Sequence, residues 1–346
     1  MGNLIIKLKG GTGNQLFQAA AAASLAKIYK KECFFNLQGI GSNKYKRKLE
    51  IEPILKLLSI KKVNQGKTLY FDEYDIDHPI FFNIKSPIAF SEIDCQLEGY
   101  FTNYRIHNFE VINTIKSFIK NLDASESFKN KDFMAIHLRE AHGIVLGKTD
   151  TLSFDFYTNT FEQMFKDKKL TNIKSAIVFS DLCQSPDNSP LLPKIKELLN
   201  RYGINYINGD VYIKSPLEIL NIFSFAKSCI ISNSTLSWWG GYLSDGNVYS
   251  PVMCLWEPHL KIPDHWIQVY GGEIHPKTHH GKLAFENSII LSNFQNNNLY
   301  NLNRKRITTL TRLIIILVNK NFLFKKLKNM MKKFGILPEN SHSTFF

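Results

Sequence analysis

Residues 4–27 read LIIKLKGGTGNQLFQAAAAASLAK. A short run of apolar, β-favouring residues enters a glycine turn, and an alanine-rich helix leaves it, which is the strand–turn–helix opening of an α/β unit. A dinucleotide-binding turn would carry a third glycine where Leu16 stands, and a P-loop would follow its glycines with Lys and then Ser or Thr. Neither cofactor loop is present. What remains is a turn whose glycines, Gly11 and Gly13, let backbone approach a ligand closely, followed by the amide side chains of Asn14 and Gln15, which both donate and accept. The alanines at 19–23 make a slim, strongly helical segment that suits tight packing on its neighbours.

Beyond this opening, apolar runs of four to eight residues alternate with segments of helical period. Strands are expected at 4–9, 33–37, 133–138, 175–179, 204–207, 228–231 and 248–250, and helices at 15–31, 154–168, 192–202, 216–226 and 236–243. That alternation predicts an α/β protein with parallel strands. The polar stretch 121–132 separates two strand clusters, so the expected organisation is two Rossmann-type, doubly wound domains, 1–125 and 126–300, with a distinct tail at 301–346. In the second cluster the strands run into His137 and Arg139, into Ser180 and Asp181, and into Ser232 to Thr235. Open α/β sheets bind ligands beyond the carboxyl ends of their strands, so these loops should share one crevice.

The formal charge of the 346-residue chain is +13, but it is unevenly spread. Residues 301–346 hold ten Lys/Arg and one acid, Glu339, which leaves only +4 for everything before them. A nucleic-acid groove is therefore not expected, since its charge would be spread along the fold among aromatics. In the tail, Leu310, Leu313, Ile314, Leu317, Phe324, Leu327, Met331 and Phe334 recur at helical spacing, with lysines largely outside that stripe. The longest apolar run there, 313–318, is too short to span a bilayer. An amphipathic helix on an anionic membrane surface and a tail helix capping the core, or a disordered tail, are both open readings. The five cysteines are scattered and never spaced C-x-x-C, so reduced thiols are expected and neither a disulfide framework nor a zinc site. The first ten residues lack a secretory pattern, which sets the expected location as cytoplasmic, peripheral on the inner face of the membrane if the tail binds it.

Two further stretches carry chemistry. In AIHLREAHG (135–143), His137 and Arg139 fall on the same side of a strand end, where a guanidinium can grip a phosphate with two parallel bonds. In CIISNSTLSWWGGYL (229–243), an apolar strand ends in Ser232, Asn233, Ser234 and Thr235 at the start of a helix that also carries Ser237. Free amides and the helix dipole favour an anion there. Trp238 and Trp239 are expected to pack behind that start.

Taken together and in this order, GGTGNQLFQAA, IHLR, FSD and SNSTLSWWGG resemble the inverting α-1,2-fucosyltransferases of glycosyltransferase family 11, a bacterial surface-polysaccharide type. LEGYFTNYRIH (97–107) and DHW (264–266) add weaker support, and the resemblance runs over about residues 4–245. It implies a GT-B-like pair of Rossmann-type domains facing across a cleft, GDP-β-L-fucose as donor, a galactose-containing acceptor such as a lipid-linked oligosaccharide of O-antigen or capsule synthesis, and no metal or other cofactor. It further implies that Arg139 neutralises the donor β-phosphate with His137 as its partner, that Asn233, Ser234, Thr235 and Ser237 line the diphosphate, and that Gly11, Gly13, Asn14 and Gln15 form an acceptor-side loop. Asp181 would touch the nucleotide and Glu218 would recognise guanine. The family's H-x-R-R-G-D-Y is departed from here: Glu140 stands in the place of the second arginine, and the Gly-Asp-Tyr is missing.

The chemistry requires charge stabilisation on a departing GDP and attack by the acceptor on the opposite face of the sugar. Glu140 and Asp155 are alternative bases for the acceptor hydroxyl, and a strongly dissociative transition state would need neither. Asp75 and Asp77, the one D-x-D pair considered for a metal, read as solvated surface. A related GDP-sugar transferase with another donor or acceptor, and a nucleotide-sugar-binding protein without catalysis, are the competing readings.

Overall fold

The structure, a computed structural model, describes residues 2–40, 47–63, 69–72, 94–126, 128, 132–140, 152–181, 189–251 and 262–270. The Asp75/Asp77 pair, Cys183, Cys254 and the basic tail lie outside them. The described residues all belong to one compact unit within Met1–Ser288.

This unit holds two fully parallel sheets. Sheet one has the order β3-β2-β1-β5-β4, built from β1 (Leu4–Lys9), β2 (Cys33–Gly39), β3 (Lys61–Lys62), β4 (Leu69–Asp72) and β5 (Cys95–Glu98). Sheet two has the order β11-β10-β9-β6-β7-β8, from β6 (Phe133–Leu138), β7 (Ser175–Ser180), β8 (Asn205–Asn208), β9 (Ser228–Ile230), β10 (Asn247–Pro251) and β11 (Ile267–Val269). Read from β8, the second order is the doubly wound dinucleotide-fold order, and its strand order reverses between β6 and β9. This is a GT-B-like α/β layout.

Helices α1 (Thr12–Ile28), α2 (Glu52–Leu57), α3 (Phe109–Lys120), α4 (Phe154–Lys166), α5 (Leu192–Arg201), α6 (Pro216–Phe225) and α7 (Thr235–Leu243) complete the layers. Alternation along β6 divides its side chains between two cores. Met134, Ile136 and Leu138 join α4 and α5 in one, whereas Phe133 and Ala135 join α6, α7 and strands β1, β2 and β5 in the other. His137 has the parity of Phe133 and Ala135, so it points toward α7 and the side of sheet one.

Helix α1 explains that second, continuous core. Fourteen of its seventeen residues are buried, so it has no solvated face to advertise, as expected of a helix enclosed on all sides. Its alanines let β1, α3 and α7 all come close. The helix starts within the glycine turn, three residues earlier than the sequence predicts, because Gln15 N–H already closes on Gly11 C=O at 3.0 Å. Gly10 precedes it with φ +79, a left-handed conformation that favours glycine, and Asn14 folds back over it.

The two sheets are joined where α1 meets α7. A Cβ on Gly13 would lie 2.3 Å from the Leu236 amide nitrogen and 2.7 Å from Thr235 Oγ1, so only hydrogen fits there. Trp239 Nε1–H donates to the Gly13 carbonyl at 3.1 Å, and Phe17 lies against both tryptophans at 4.7 and 5.1 Å. At this level the two halves touch rather than face each other across open space. Asn221 ties a second point by donating to the Ile119 carbonyl at 2.7 Å.

The strands and helices anticipated in sheet two fall within two residues of their expected ends. Helices α2 and α3 and strands β3, β4, β5 and β11 are additions. Cys33, Cys95 and Cys229 are buried thiols outside any disulfide, and burial pushes the Cys33 and Cys229 thiols up to about 12.

The junction yields a stability prediction. Gly13→Ala must push the backbones of α1 and α7 apart, which at typical overpacking costs removes about 1–3 kcal/mol. Urea unfolding measures it, and a variant as stable as wild type would contradict the close contact.

Candidate functional site

Both sheets have a switch point, and the residues around them differ in kind. In sheet one it lies between β1 and β5, and Gln18 fills it: its amide donates to Gly99 C=O at 2.8 Å and accepts from Lys9 N–H at 3.0 Å. The backbone groups that could have met a ligand are thereby joined to each other. In sheet two the reversal between β6 and β9 is lined instead by ionisable and hydroxyl side chains.

At the end of β6, His137 Nδ1 lies 2.8 Å from Ser232 Oγ at the end of β9, a link across the switch point. Two residues on, Arg139 Nη1 sits 2.9 Å from Asp181 Oδ2 at the end of β7, with both side chains less than a fifth exposed. Asp181 is also held, since its Oδ1 accepts from Glu140 N–H at 2.7 Å. A carboxylate fixed in this way orients the guanidinium, and both Asp181 oxygens are engaged within the protein, by Arg139 and by the Glu140 amide. Next along the sheet, Asp210 Oδ2 accepts from Ser180 N–H at 3.2 Å. Sequence reasoning missed Asp210, which lies on a 3-10 turn with no pattern of its own.

The serine loop is shaped by its own hydrogen bonds. Ser232 N–H donates to Ser237 Oγ at 2.9 Å, and Ser234 N–H to Ser232 C=O at 2.8 Å. Ser237 is thus used in holding the loop. Ser234 is the N-cap residue of α7, yet its side chain makes no capping bond. Asn233, Ser234 and Thr235 are each more than nine-tenths buried beside that start. Behind them Trp238 and Trp239 are fully buried, as anticipated, with Trp238 stacked on Tyr242 at 4.6 Å.

Three expected site residues prove to have other work. Gln15 does not face the crevice: it is buried, donating to Gly10 C=O (3.0 Å) and Lys48 C=O (2.8 Å) and accepting from Glu50 N–H (3.1 Å). Glu140 is fully buried and clamps the start of α5, accepting from Ser189 Oγ at 2.5 Å and Leu191 N–H at 3.0 Å. Both of its oxygens are engaged within the protein, and burial raises its pKa. Asp155 is exposed on the first turn of α4. Glu218 accepts from Lys214 N–H at 2.5 Å beside a cavity of about 440 Å³ that Asp210, Val211, Ile213 and Ser215 help to line. Of the acceptor-side loop, Gly11 lies under Arg47, Gly13 under α7, and Asn14 over Gly10.

No family model and no curated protein sequence matches the chain. Among solved structures it is similar to the NodZ α-1,6-fucosyltransferase soaked with GDP-fucose, at 13% identity over 73% of this chain and 96% of that one, with a TM-score of 0.44. POFUT1 in complex with GDP-fucose matches at 13% identity, 78% and 98% coverage and a TM-score of 0.40. ADP-heptose lps heptosyltransferase II of E. coli matches at 11%, 85% and 99%, again at 0.40. At these identities and scores, function has to be read from this chain's own residues.

The site's titration gives a sign that can be checked. Burial, and then the Arg139 charge, lower His137 from 6.5 to about 4, with Asp181 pulling weakly the other way. Between those values the unfolded chain binds a proton the folded one refuses, so stability falls as pH drops from about 6.5 toward 4. His107, lowered to about 3 by burial against Phe17 and Trp239, has the same sign. Asp210, raised by burial from 3.8 to about 6, opposes them in part because its folded form keeps the proton. His137→Asn should lose less stability than wild type over pH 6.5 to 4 in urea unfolding, and equal losses would contradict a buried neutral His137.

Proposed function

We propose that this protein is a fucosyltransferase that moves L-fucose from GDP-β-L-fucose to the 2-hydroxyl of a galactoside with inversion, giving an α-1,2 linkage. The observation that carries the reading is Arg139, largely buried and oriented by Asp181 at the carboxyl end of β6, two residues after His137, which meets Ser232 in the loop leading into α7, whose Ser234 makes no side-chain cap. A diphosphate placed there meets a guanidinium on one side and a helix start on the other. The motifs GGTGNQLFQAA and SNSTLSWWGG, which prompted the family resemblance, are the two segments that pack together at Gly13 and Thr235.

The reaction breaks the bond from fucose C1 to the β-phosphate oxygen and forms one from C1 to the acceptor oxygen. The bonding electrons leave with GDP, and the acceptor's proton passes to GDP or solvent. Arg139 and the α7 dipole lower the barrier by stabilising the charge that grows on the departing GDP. With Glu140 clamped and Asp155 on the outer turn of α4, the dissociative route without a side-chain base is the one we favour. Guanine would reach the cavity beside Asp210, whose carboxylate accepts from the ring N–H and amino groups that uracil and adenine do not present together. We place the acceptor among surface-polysaccharide precursors, with the enzyme in the cytoplasm and the basic tail on the membrane.

Calorimetry with GDP, UDP and ADP on wild type and Arg139→Ala tests this reading. GDP should bind at least about tenfold more tightly than the other two, and the variant should lose about tenfold or more in GDP affinity, a change worth about 1.4 kcal/mol. Equal affinity for all three nucleotides, or an unweakened variant, would overturn it.

A further inference from the structure

The carboxyl ends of β6 to β8 carry an unusual charge balance for a diphosphate site. Arg139 is accompanied by Asp181, by Glu140 and by Asp210: burial first, and Asp181 after it, raises the pKa of both Glu140 and Asp210. Where the resembling family has a second arginine, this chain has the clamp of α5. A ligand with two or more negative charges therefore needs positive charge from elsewhere.

The topology brings such a charge from sheet one. Residues 47–50 form a strap over the glycine turn, fixed at three points by α1: Gln15 donates to Lys48 C=O, Gln15 accepts from Glu50 N–H, and Thr12 Oγ1 donates to Glu50 Oε2. At the head of that strap Arg47 lies over Gly11, its Cζ and Nη1 each 3.8 Å from where a Gly11 Cβ would stand. Gly11 is the N-cap of α1, and two residues later Gly13 touches the first turn of α7. The guanidinium thus rests on the same short turn that abuts the proposed diphosphate seat. Gln15, buried and fully hydrogen-bonded, acquires a purpose here as the brace that sets Arg47.

From this geometry we infer that Arg47 is a second phosphate-binding cation, delivered by the strap across the junction between the sheets, and that it engages the terminal phosphate of a nucleoside diphosphate. The inference deepens the donor reading above and rests on it. Arg139 grips the diphosphate from sheet two, and Arg47 closes on it from sheet one, so that the departing GDP is neutralised from both sides. A guanidinium keeps its charge at every working pH and can bind two phosphate oxygens at once, which a lysine cannot reproduce fully.

Calorimetry with GDP and with GMP, which lacks the terminal phosphate, separates the roles in wild type, Arg47→Gln, Arg47→Lys and Arg139→Ala, with thermal melts as the check on folding. Arg47→Gln should weaken GDP about tenfold while leaving GMP within about twofold, and Arg47→Lys should recover part of the loss. GDP binding should also become less sensitive to added salt in Arg47→Gln. Unchanged GDP affinity in Arg47→Gln, or equal losses for GDP and GMP, would overturn the assignment, the second result marking a packing role only. Should Arg47→Gln fail to fold, Arg47→Lys decides by the same comparison, since a side chain that only fills space would bind both nucleotides as wild type does. A wild type that ignores GDP altogether would sink the donor reading itself, whereas loss in Arg139→Ala without loss at Arg47 sinks only this inference.

Discussion

The site depends on one contact between two polypeptide backbones. Gly13 offers no side chain, so the first turn of α1 can lie directly against the first turn of α7, and Trp239 locks the approach by donating to the Gly13 carbonyl. Everything functional is arranged around that meeting. The enclosed, alanine-rich α1 makes it sterically feasible, the Phe17–Trp238–Trp239 cluster makes it apolar and tight, and the core that results runs from sheet one into sheet two. Burying aromatic side chains of this size is worth several kcal/mol each, so the junction is a major source of cohesion as well as of geometry. The cleft expected between two separate domains is thus closed at its base.

The two switch points differ in what fills them. Sheet one spends its crevice on Gln18, which stitches β1 to β5, whereas sheet two leaves Arg139, His137 and Ser232 at the corresponding place. The first glycine turn therefore serves as a support under α7 and as a platform for the strap at 47–50. Electrostatics agree with this division. Arg139 is largely buried and paired with Asp181, and burial raises the pKa of the neighbouring Glu140 and Asp210.

What the sequence revealed and what it concealed follows the range of the interactions involved. Strands β1, β6 and β7 are predominantly apolar runs, readable to within a residue. Arg139, His137 and the serine loop could be anticipated because each directly follows such a run. Helix α3 does carry a local signal, since Val111, Ile112, Ile115 and Ile119 repeat at helical spacing behind an Asn108 cap. β5 is only four residues long and has no pattern to show. The functions of Gln15 and Glu140 were not legible at all. Apart from Gly10, five residues before Gln15, their partners lie 33 to 51 residues away, and the local sequence does not distinguish a bracing amide or a helix-clamping carboxylate from one that faces a substrate. Arg47 was hidden for the same reason, since only the folded strap carries it to Gly11.

The central claim, that a nucleoside diphosphate sits at the β6/β9 switch point against the start of α7, is tested most directly by a crystal structure of the protein with GDP. The account predicts phosphate oxygens within about 3 Å of the Arg139 guanidinium and of backbone amides at the Ser234 helix start, with the base toward Asp210. GDP seated at the glycine turn of sheet one without contact to Arg139, or elsewhere on the fold, would contradict it.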